Sequence, residues 1–118
     1  MINYRGCPLS LGTAGQVQGG DRLPWVAVGG VDNFAPLASA DWQVHVYGEP
    51  SDGLATWCSQ RRLPLHAFAW QVEHATAGLA RNALYLLRPD TYVALAEPSG
   101  SPDAIDRYFG DRGIRSMP

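Results

Sequence analysis

Hydrophobic and polar residues follow two different patterns along the chain. From residue 41 onward, alternating or continuous apolar runs are separated by turn-forming residues, as in ordinary strands and helices. Residues 1–40 instead place apolar side chains among closely spaced glycines and prolines, which excludes a long helix or a central strand. The pattern predicts an irregular arm at 1–40, packed on the rest of this chain or on a larger body, and a regular domain at 41–118.

The regular part begins with a predicted strand, helix and strand. Residues 42–47 alternate and are rich in β-forming residues, and residues 65–70 form a second such run. Between the two runs, Leu54, Trp57 and Cys58 lie on one side of a helix.

The ends of this helix also carry signals. Ser51 or Asp52 is predicted to cap it by accepting a free amide hydrogen bond, and Arg61–Arg62 in its last turn complement the helix dipole. A less regular stretch over 73–81 follows, with a short helix as its interpretation.

A hairpin and a terminal helix complete the pattern. Residues 83–87 and 92–96 are predicted strands, and the Arg-Pro-Asp-Thr sequence at 88–91 suits a type I turn between them. Residues 101–103, Ser-Pro-Asp, are a strong helix start. The predicted buried face of this helix is Ala104, Ile105, Tyr108 and Phe109, and its predicted end is marked by Gly110 and Gly113.

Strand, helix, strand, variable connection, hairpin and helix is the order of a thioredoxin-like α/β domain. The first two strands are expected to be parallel, joined by a right-handed crossover, with helices on both faces of the sheet.

Composition narrows the classes of function. The chain has 118 residues, enough for one core, and its net charge of −2 gives no reason to expect nucleic acid or an anionic membrane as a partner. It has no apolar run long enough to span a bilayer, and residues 1–10 lack the pattern of a secretion signal. A cytoplasmic protein with two reduced thiols, Cys7 and Cys58, is expected, with a Cys7–Cys58 disulfide as the alternative.

The sequence argues against thiol–disulfide chemistry. An active thioredoxin carries Cys-x-x-Cys where its first central strand meets a helix, and residues 48–53 hold two acids and no cysteine there. Cys58 lies about two turns into the predicted helix, where burial would raise its pKa. The position of the cis-proline of the active fold reads Arg81-Asn82-Ala83.

Other candidate sites have ordinary structural interpretations. His45, His66 and His74 are a weak metal signal, and strand histidines that point outward or bond to the backbone are the expectation. The glycines of 12–20 lack the strand and helix of a dinucleotide fingerprint, and residues 99–102 are interpreted as a loop and a helix cap rather than an anion site. No catalytic, cofactor-binding or metal-ligating residue is predicted. The tryptophans are assigned to the core or an interface: Trp25, Trp42, Trp57 and Trp70.

Three motifs nevertheless resemble one family, the FAD-dependent aromatic-ring hydroxylases (class A flavoprotein monooxygenases, phenol hydroxylase-like). Residues 3–10, Asn-Tyr-Arg-Gly-Cys-Pro-Leu-Ser, look like the Tyr-Arg-x-Ser-Pro-Leu segment that ends the catalytic part. Residues 20–24, Gly-Asp-Arg-Leu-Pro, resemble the Gly-x-Arg-x-Pro opening of the C-terminal domain. Residues 87–94, Leu-Arg-Pro-Asp-Thr-Tyr-Val-Ala, resemble the hallmark Arg-Pro-Asp-Gly turn. The resemblance covers essentially the whole chain.

The resemblance implies a role for this chain. It would be the C-terminal thioredoxin-like domain, without redox cysteines, which helps to hold domains or subunits together. The parent enzyme would use FAD and NAD(P)H to hydroxylate a phenolic or polyketide-like ring, and its flavin-binding and substrate-binding parts would precede residue 1. The expected partners are the catalytic FAD-binding domain and, through the arm or an exposed sheet edge, a second copy of the chain. A stand-alone interaction module of the same fold is the alternative.

Two residues depart from the family pattern. Cys7 stands where serine is usual, and Thr91 replaces the turn glycine. Because a β-branched residue resists positive φ, the turn is predicted either to lack a left-handed residue at Thr91 or to be locally strained there.

Overall fold

The computed structural model describes residues 11–28, 31–34 and 41–111. The chain is a mixed α/β protein with eight strands and three helices in these ranges. In chain order the elements are β1 (Leu11–Ala14), β2 (Val17–Gln18), β3 (Ala27–Val28), β4 (Val31–Asp32), β5 (Gln43–Tyr47), α1 (Leu54–Gln60), β6 (Leu65–Phe68), α2 (Val72–Thr76), β7 (Leu84–Leu87), β8 (Val93–Glu97) and α3 (Asp103–Asp111).

Six strands form one mixed sheet in the order β2-β1-β8-β7-β5-β6, and β3 and β4 form a separate small pair. β5 and β6 are parallel and are connected through α1, as the sequence predicted. β7 is antiparallel to both β5 and β8, so the predicted hairpin is also confirmed. The hydrophobic pattern therefore located the central strands to within two residues at each end.

One face of the sheet, called the helix-covered face below, packs against α1 and α3. Its buried side chains are almost entirely apolar and come from alternate positions of the strands and from one stripe of each helix. The stripe predicted for α1 is present, since Leu54 and Cys58 are buried and Trp57 packs at the edge. The main members are Val44, Val46, Leu54, Cys58, Leu84, Leu86, Ile105 and Tyr108.

The opposite face, called the arm-covered face below, packs against residues from the N-terminal arm and the region around α2. Val17, Leu23 and Val26 of the arm are buried in one cluster with Tyr47 and Tyr85 of the sheet. Full burial of such a side chain contributes about 1.5–3 kcal/mol, so the arm stabilises the fold substantially. Both faces of the central strands are consequently removed from solvent.

The arm is more regular than expected. Its strand β1 runs parallel to β8 and extends the sheet, with Leu11 opposite Leu95 and Gly12 opposite Ala96. Gly12 has φ +86°, and a Cβ there would collide with the carbonyl oxygen of Ala96. Glycine thus permits this pairing, although its density in the sequence suggested irregular backbone.

Two predictions about helix ends are corrected or refined. Neither Ser51 nor Asp52 caps α1, because the N-cap is Gly53 with φ +79° and no side-chain cap bond. Arg61 is the C-cap residue rather than a member of the last turn. At α3, the Ser101 hydroxyl accepts a hydrogen bond from the Asp103 amide at 3.2 Å, in agreement with the predicted start.

The hairpin turn adopts the strained alternative of its prediction. Thr91 has φ +74°, and its amide donates to the Arg88 carbonyl at 2.9 Å. The Arg88 amide also donates to the Tyr92 carbonyl at 2.9 Å. Residues 89–91 therefore form a three-residue loop, and its last residue, Thr91, is left-handed. A glycine would adopt this conformation freely, whereas threonine is held in it by the surrounding hairpin.

Candidate functional site

The junction between β5 and α1 comprises residues 48–53, the segment whose sequence was compared with the Cys-x-x-Cys position of an active thioredoxin. Here it is tied to two neighbouring loops by hydrogen bonds. The Glu49 amide donates to Oδ1 of Asn82 at 2.7 Å, and the Asn82 amide donates to the Tyr47 carbonyl at 2.9 Å. The Ser51 hydroxyl, which does not cap α1, donates to the Gly100 carbonyl at 2.6 Å. Structural polar contacts thus occupy the junction.

Asn82 was not singled out by the sequence analysis as a key residue, although it lies at the position compared with the cis-proline. Its φ is +64°, a left-handed conformation that asparagine tolerates better than most residues. Its side chain and backbone join the β6–β7 region to the end of β5. An asparagine before a predicted strand was the only available signal.

Cys58 is a free, buried thiol on the helix-covered face, and Cys7 lies outside the described residues. Burial raises the pKa of Cys58 to about 11, and the charge of Arg61 offsets only part of this effect. Because the thiolate is the nucleophilic form, Cys58 is poorly suited to attack a disulfide near neutral pH.

The most distinctive polar group of the molecule lies on the arm-covered face. The Tyr47 network, as it is called here, consists of Asn33, Gln43, His45 and Tyr47, all at most 1% exposed. Nε2 of His45 lies 2.8 Å from Oε1 of Gln43, and Nδ1 of His45 lies 2.9 Å from the Tyr47 hydroxyl. The Asn33 amide donates to the same hydroxyl at 3.0 Å. One chain of hydrogen bonds therefore crosses from β5 to the arm.

The hydrogen-bond acceptors of the Tyr47 network determine which of its atoms carry protons. Oε1 of Gln43 can only accept, so the neutral His45 carries its proton on Nε2. Nδ1 then accepts from the Tyr47 O–H, whose oxygen accepts from Asn33. A second proton on His45 would oppose the Tyr47 hydroxyl proton, so the geometry favours the neutral ring. Burial, and secondarily the nearby His66, lower the pKa of His45 to about 3.

Asn33 connects the network to the arm. Its Oδ1 accepts from the Val26 amide at 2.8 Å, and its Nδ2 donates to the Pro24 carbonyl at 2.7 Å. Tyr85 makes a second connection: its hydroxyl donates to the Ala14 carbonyl at 2.9 Å and accepts from the Ala80 amide at 2.8 Å. Burial raises the pKa of both Tyr47 and Tyr85, so these hydroxyls stay protonated.

The structure corrects the expectation for His45. His45 points neither to solvent nor to the backbone, because the arm covers the face that the alternation had left open. His66 lies opposite it on β6 with the ring centroids 5.6 Å apart, and His74 lies 4.9 Å from the Tyr47 ring. No cluster of three or more potential metal ligands occurs among residues 11–28, 31–34 and 41–111.

A shallow groove lies at the end of β6, next to the Tyr47 network. Its volume is about 280 Å³, and its wall includes the rings of Phe68 and His74. Phe68 stacks on Tyr47 with a centroid distance of 5.1 Å and an interplanar angle of 14°. The full lining is Val28, Ala67, Phe68, Ala69, Gln71 and His74.

The tryptophans divide between core and surface. Trp42 packs edge-on against Phe109 at 5.3 Å, and Trp70 lies 5.7 Å from His74. The Arg61 guanidinium lies 4.1 Å from the ring centre of Trp57. Trp25 is 62% exposed on the arm and forms the largest apolar surface group of the described residues.

Two of the motifs that carry the family resemblance meet in the structure. The Gly20 amide donates to the Val93 carbonyl at 2.6 Å, and the Val93 amide donates to the Asp21 carbonyl at 2.8 Å. Arg22 and Tyr92 form an antiparallel bridge beside them. The segment at 20–24 therefore pairs with the strand that follows the Arg-Pro-Asp turn. The third motif, at residues 3–10, lies outside the described residues.

Residues 12–20 do not form a dinucleotide-binding fingerprint. The glycines of 12–20 form the β1–β2 hairpin, and no helix follows that could receive a pyrophosphate at its N-terminus. None of the helices in the described ranges is long and apolar enough to cross a membrane.

No family model, curated protein or solved structure matches the chain.

Proposed function

We propose that this chain is the non-catalytic C-terminal structural and oligomerisation domain of an aromatic-ring monooxygenase that uses FAD and NAD(P)H. The observation that carries the proposal is the pairing of its two distant resemblance motifs, at 20–24 and 87–94, through the hydrogen bonds of Gly20 and Val93. Segments that jointly define a domain family are expected to have a joint structural role, and here each completes the backbone hydrogen bonds of the other.

The arrangement of β5, α1, β6, β7, β8 and α3 supports a thioredoxin-like assignment. The strand order β6-β5-β7-β8, with a parallel first pair and an antiparallel hairpin, follows the connectivity expected for that fold. The junction where such a fold would carry redox cysteines is occupied by the contacts of Glu49, Ser51 and Asn82. The proposal is therefore a structural domain and not a redox enzyme.

In this proposal FAD and NAD(P)H belong to the catalytic part of the parent enzyme, and none of the residues described in this chain holds them. The partners are the catalytic FAD-binding domain and a second copy of the chain, through the arm or a sheet edge. The role of this domain is to present a rigid surface, because its arm is locked to the sheet by Asn33, Tyr47 and Tyr85.

The test is the native mass and visible absorbance of the protein captured from its source with an antibody to this domain. A polypeptide several times longer with a flavin spectrum is expected. A colourless species of 12.8 kDa would overturn the proposal. Capture with the same antibody after blocking it with the purified domain is the control, and it should remove the flavin signal.

A stand-alone interaction module of the same fold is the second candidate. The observation that favours it is the exposed Trp25, which lines a surface groove together with Glu73 and Thr76 of α2. Exposed aromatic groups of this kind are common at protein interfaces. The colourless outcome of the same experiment would support this candidate.

A further inference from the structure

The short helix α2 is held by an unusual cap. Nδ1 of His74, its third residue, accepts a hydrogen bond from the backbone amide of Gln71 at 3.1 Å. In the usual capping box this place belongs to Glu or Gln, whose side-chain oxygen accepts from the N-cap amide. A histidine can make the same bond only while Nδ1 is unprotonated.

His74 is also the only buried residue of α2. Its ring contacts Tyr47 of β5 and Trp70 of the preceding loop, with centroid distances of 4.9 and 5.7 Å. The remaining side chains of the helix are exposed, and Val72 is 72% exposed. One imidazole thus caps α2 and anchors it on the sheet.

The groups around His74 act in opposite directions on its protonation. Glu73, on the same helix, is the charged group whose field favours the cation. Burial acts against the cation and is the larger effect, so the pKa of His74 lies below its ordinary value. The bond from Gln71 likewise requires the neutral form.

α2 forms one wall of two surface grooves. Gln71 and His74 line the groove at the end of β6, and Glu73, Thr76 and Ala77 line a second groove beside Trp25 of the arm. Any loosening of α2 therefore alters both surfaces at once.

We propose that His74 is an acid-sensitive latch for α2. With neutral imidazole, Nδ1 caps the helix and the ring holds it on Tyr47. When a proton from solvent binds Nδ1, the hydrogen bond from Gln71 is lost, and α2 separates from the sheet more often. The two grooves that it lines then change shape. This inference does not depend on the proposed function.

The experiment is amide hydrogen exchange of the full chain at pH 7.5 and pH 5, corrected for intrinsic exchange rates. The reporters are the amides of Ala77 and Leu79, which donate to the carbonyls of Glu73 and His74. Their opening should increase at the lower pH relative to amides of β7, by up to about fivefold, the factor that complete loss of a typical helix cap represents. Equal protection at both pH values would overturn the latch.

Two variants make the test specific. His74→Gln keeps a cap acceptor that does not titrate, so protection of α2 should no longer change with pH. His66→Gln removes a histidine outside α2 and should leave the change intact. If His74→Gln still shows the wild-type pH response, the proposal is wrong.

A measurement on the unmodified chain covers the case in which a variant fails to fold. The nitrogen chemical shifts of the His74 ring should report a neutral form with its proton on Nε2 at pH 7.5. The Gln71 amide shift should then follow the titration of that ring. A Gln71 amide that does not respond to His74 would refute the proposal.

Discussion

The two faces of the sheet are built in different ways. The helix-covered face is almost wholly apolar, and α1 and α3 place one stripe each against it. The arm-covered face buries Gln43, His45 and Tyr47 from β5 alone, together with Asn33 from the arm. Burying polar groups costs several kcal/mol unless each finds a partner, and here the chain Asn33–Tyr47–His45–Gln43 provides those partners.

This difference shows what each kind of face contributes. Apolar packing is non-directional and tolerates many arrangements of the covering element. A hydrogen-bonded face accepts one arrangement, because each donor must meet its acceptor at about 3 Å. The arm, with strands too short to be stable alone, therefore receives a defined position from Asn33, Tyr47 and Tyr85.

The largest expected effect compares neighbouring leucines of β7. Leu86 belongs to the helix-covered face and Leu87 to the arm-covered face, and both are fully buried. Leu87→Ala should lower the free energy of unfolding by about 2–5 kcal/mol, because the hydrogen bonds that fix the arm prevent it from closing the cavity. Leu86→Ala should cost less, since α1 and α3 are held by non-directional apolar packing and can move toward the cavity. Urea unfolding measures both, and a larger cost at Leu86 would contradict the comparison.

Acid should lower the stability of the fold through the arm-covered face. The folded-state pKa of His45 is about 3 and the ordinary value is 6.5, so the unfolded chain binds the proton more readily. The contribution of neutral His45 to the free energy of unfolding is fully present above pH 6.5 and is lost as the pH falls toward 3. The loss from this residue should reach about 3 kcal/mol at pH 4.

The measurement is urea unfolding at several pH values from 7 to 4. His45→Gln should remove most of this slope, and His66→Gln, in which the network stays intact, should remove little. Equal slopes in wild type and His45→Gln would exclude His45 as the source of the acid sensitivity.

A smaller effect separates the two tyrosines. Tyr47→Phe removes the hydroxyl that donates to His45 and accepts from Asn33, and it should cost about 1–3 kcal/mol because Nδ1 of His45 stays buried without a donor. Tyr85→Phe removes two comparable bonds, to Ala14 and Ala80, and should cost a similar amount. Only Tyr47→Phe should also change the pH dependence of unfolding. An identical pH dependence in both variants would argue against a coupled network.

The smallest effect lies at the hairpin. Thr91→Gly should raise the free energy of unfolding by about 0.5–1 kcal/mol, since relief of the left-handed strain exceeds the entropy that glycine adds to the unfolded chain. The free energy of unfolding of Thr91→Asn should lie between those of the wild type and Thr91→Gly, because asparagine tolerates positive φ. Thermal unfolding measures the change, and a destabilised glycine variant would show that the Thr91 side chain makes a stabilising contact.

Much of the sheet could be predicted from local patterns. The predicted strands at 42–47, 65–70, 83–87 and 92–96 each overlap an observed strand, because apolar alternation is a short-range signal. The start of α3 at Ser101 was predictable from its capping residue, because a helix cap is also a short-range signal. Ser51 was mistaken for a cap because its actual partner, the Gly100 carbonyl, is distant in sequence.

The candidate site was less accessible to the sequence. His45 was identified, but its surroundings were misjudged, since nothing local to His45 indicates that a segment near residue 33 covers it. For His74 the sequence offered a weak metal signal or, as the expected interpretation, an outward-pointing or backbone-bonded histidine, and it did not indicate a helix cap. Its capping bond to Gln71 becomes visible once α2 is known to begin at Val72.

The sequence by itself determined the central strands, the apolar stripes of α1 and α3, the hairpin turn and the absence of a cysteine pair after β5. Each of these features depends on residues that are close to one another in the sequence. Only the tertiary structure decided that β1 extends the sheet beside β8, that His45 is buried and neutral, and that Gly20 pairs with Val93. The physical reason is that a polar residue can be buried wherever a distant segment supplies its hydrogen-bond partners, and hydrophobic periodicity does not record where those partners are.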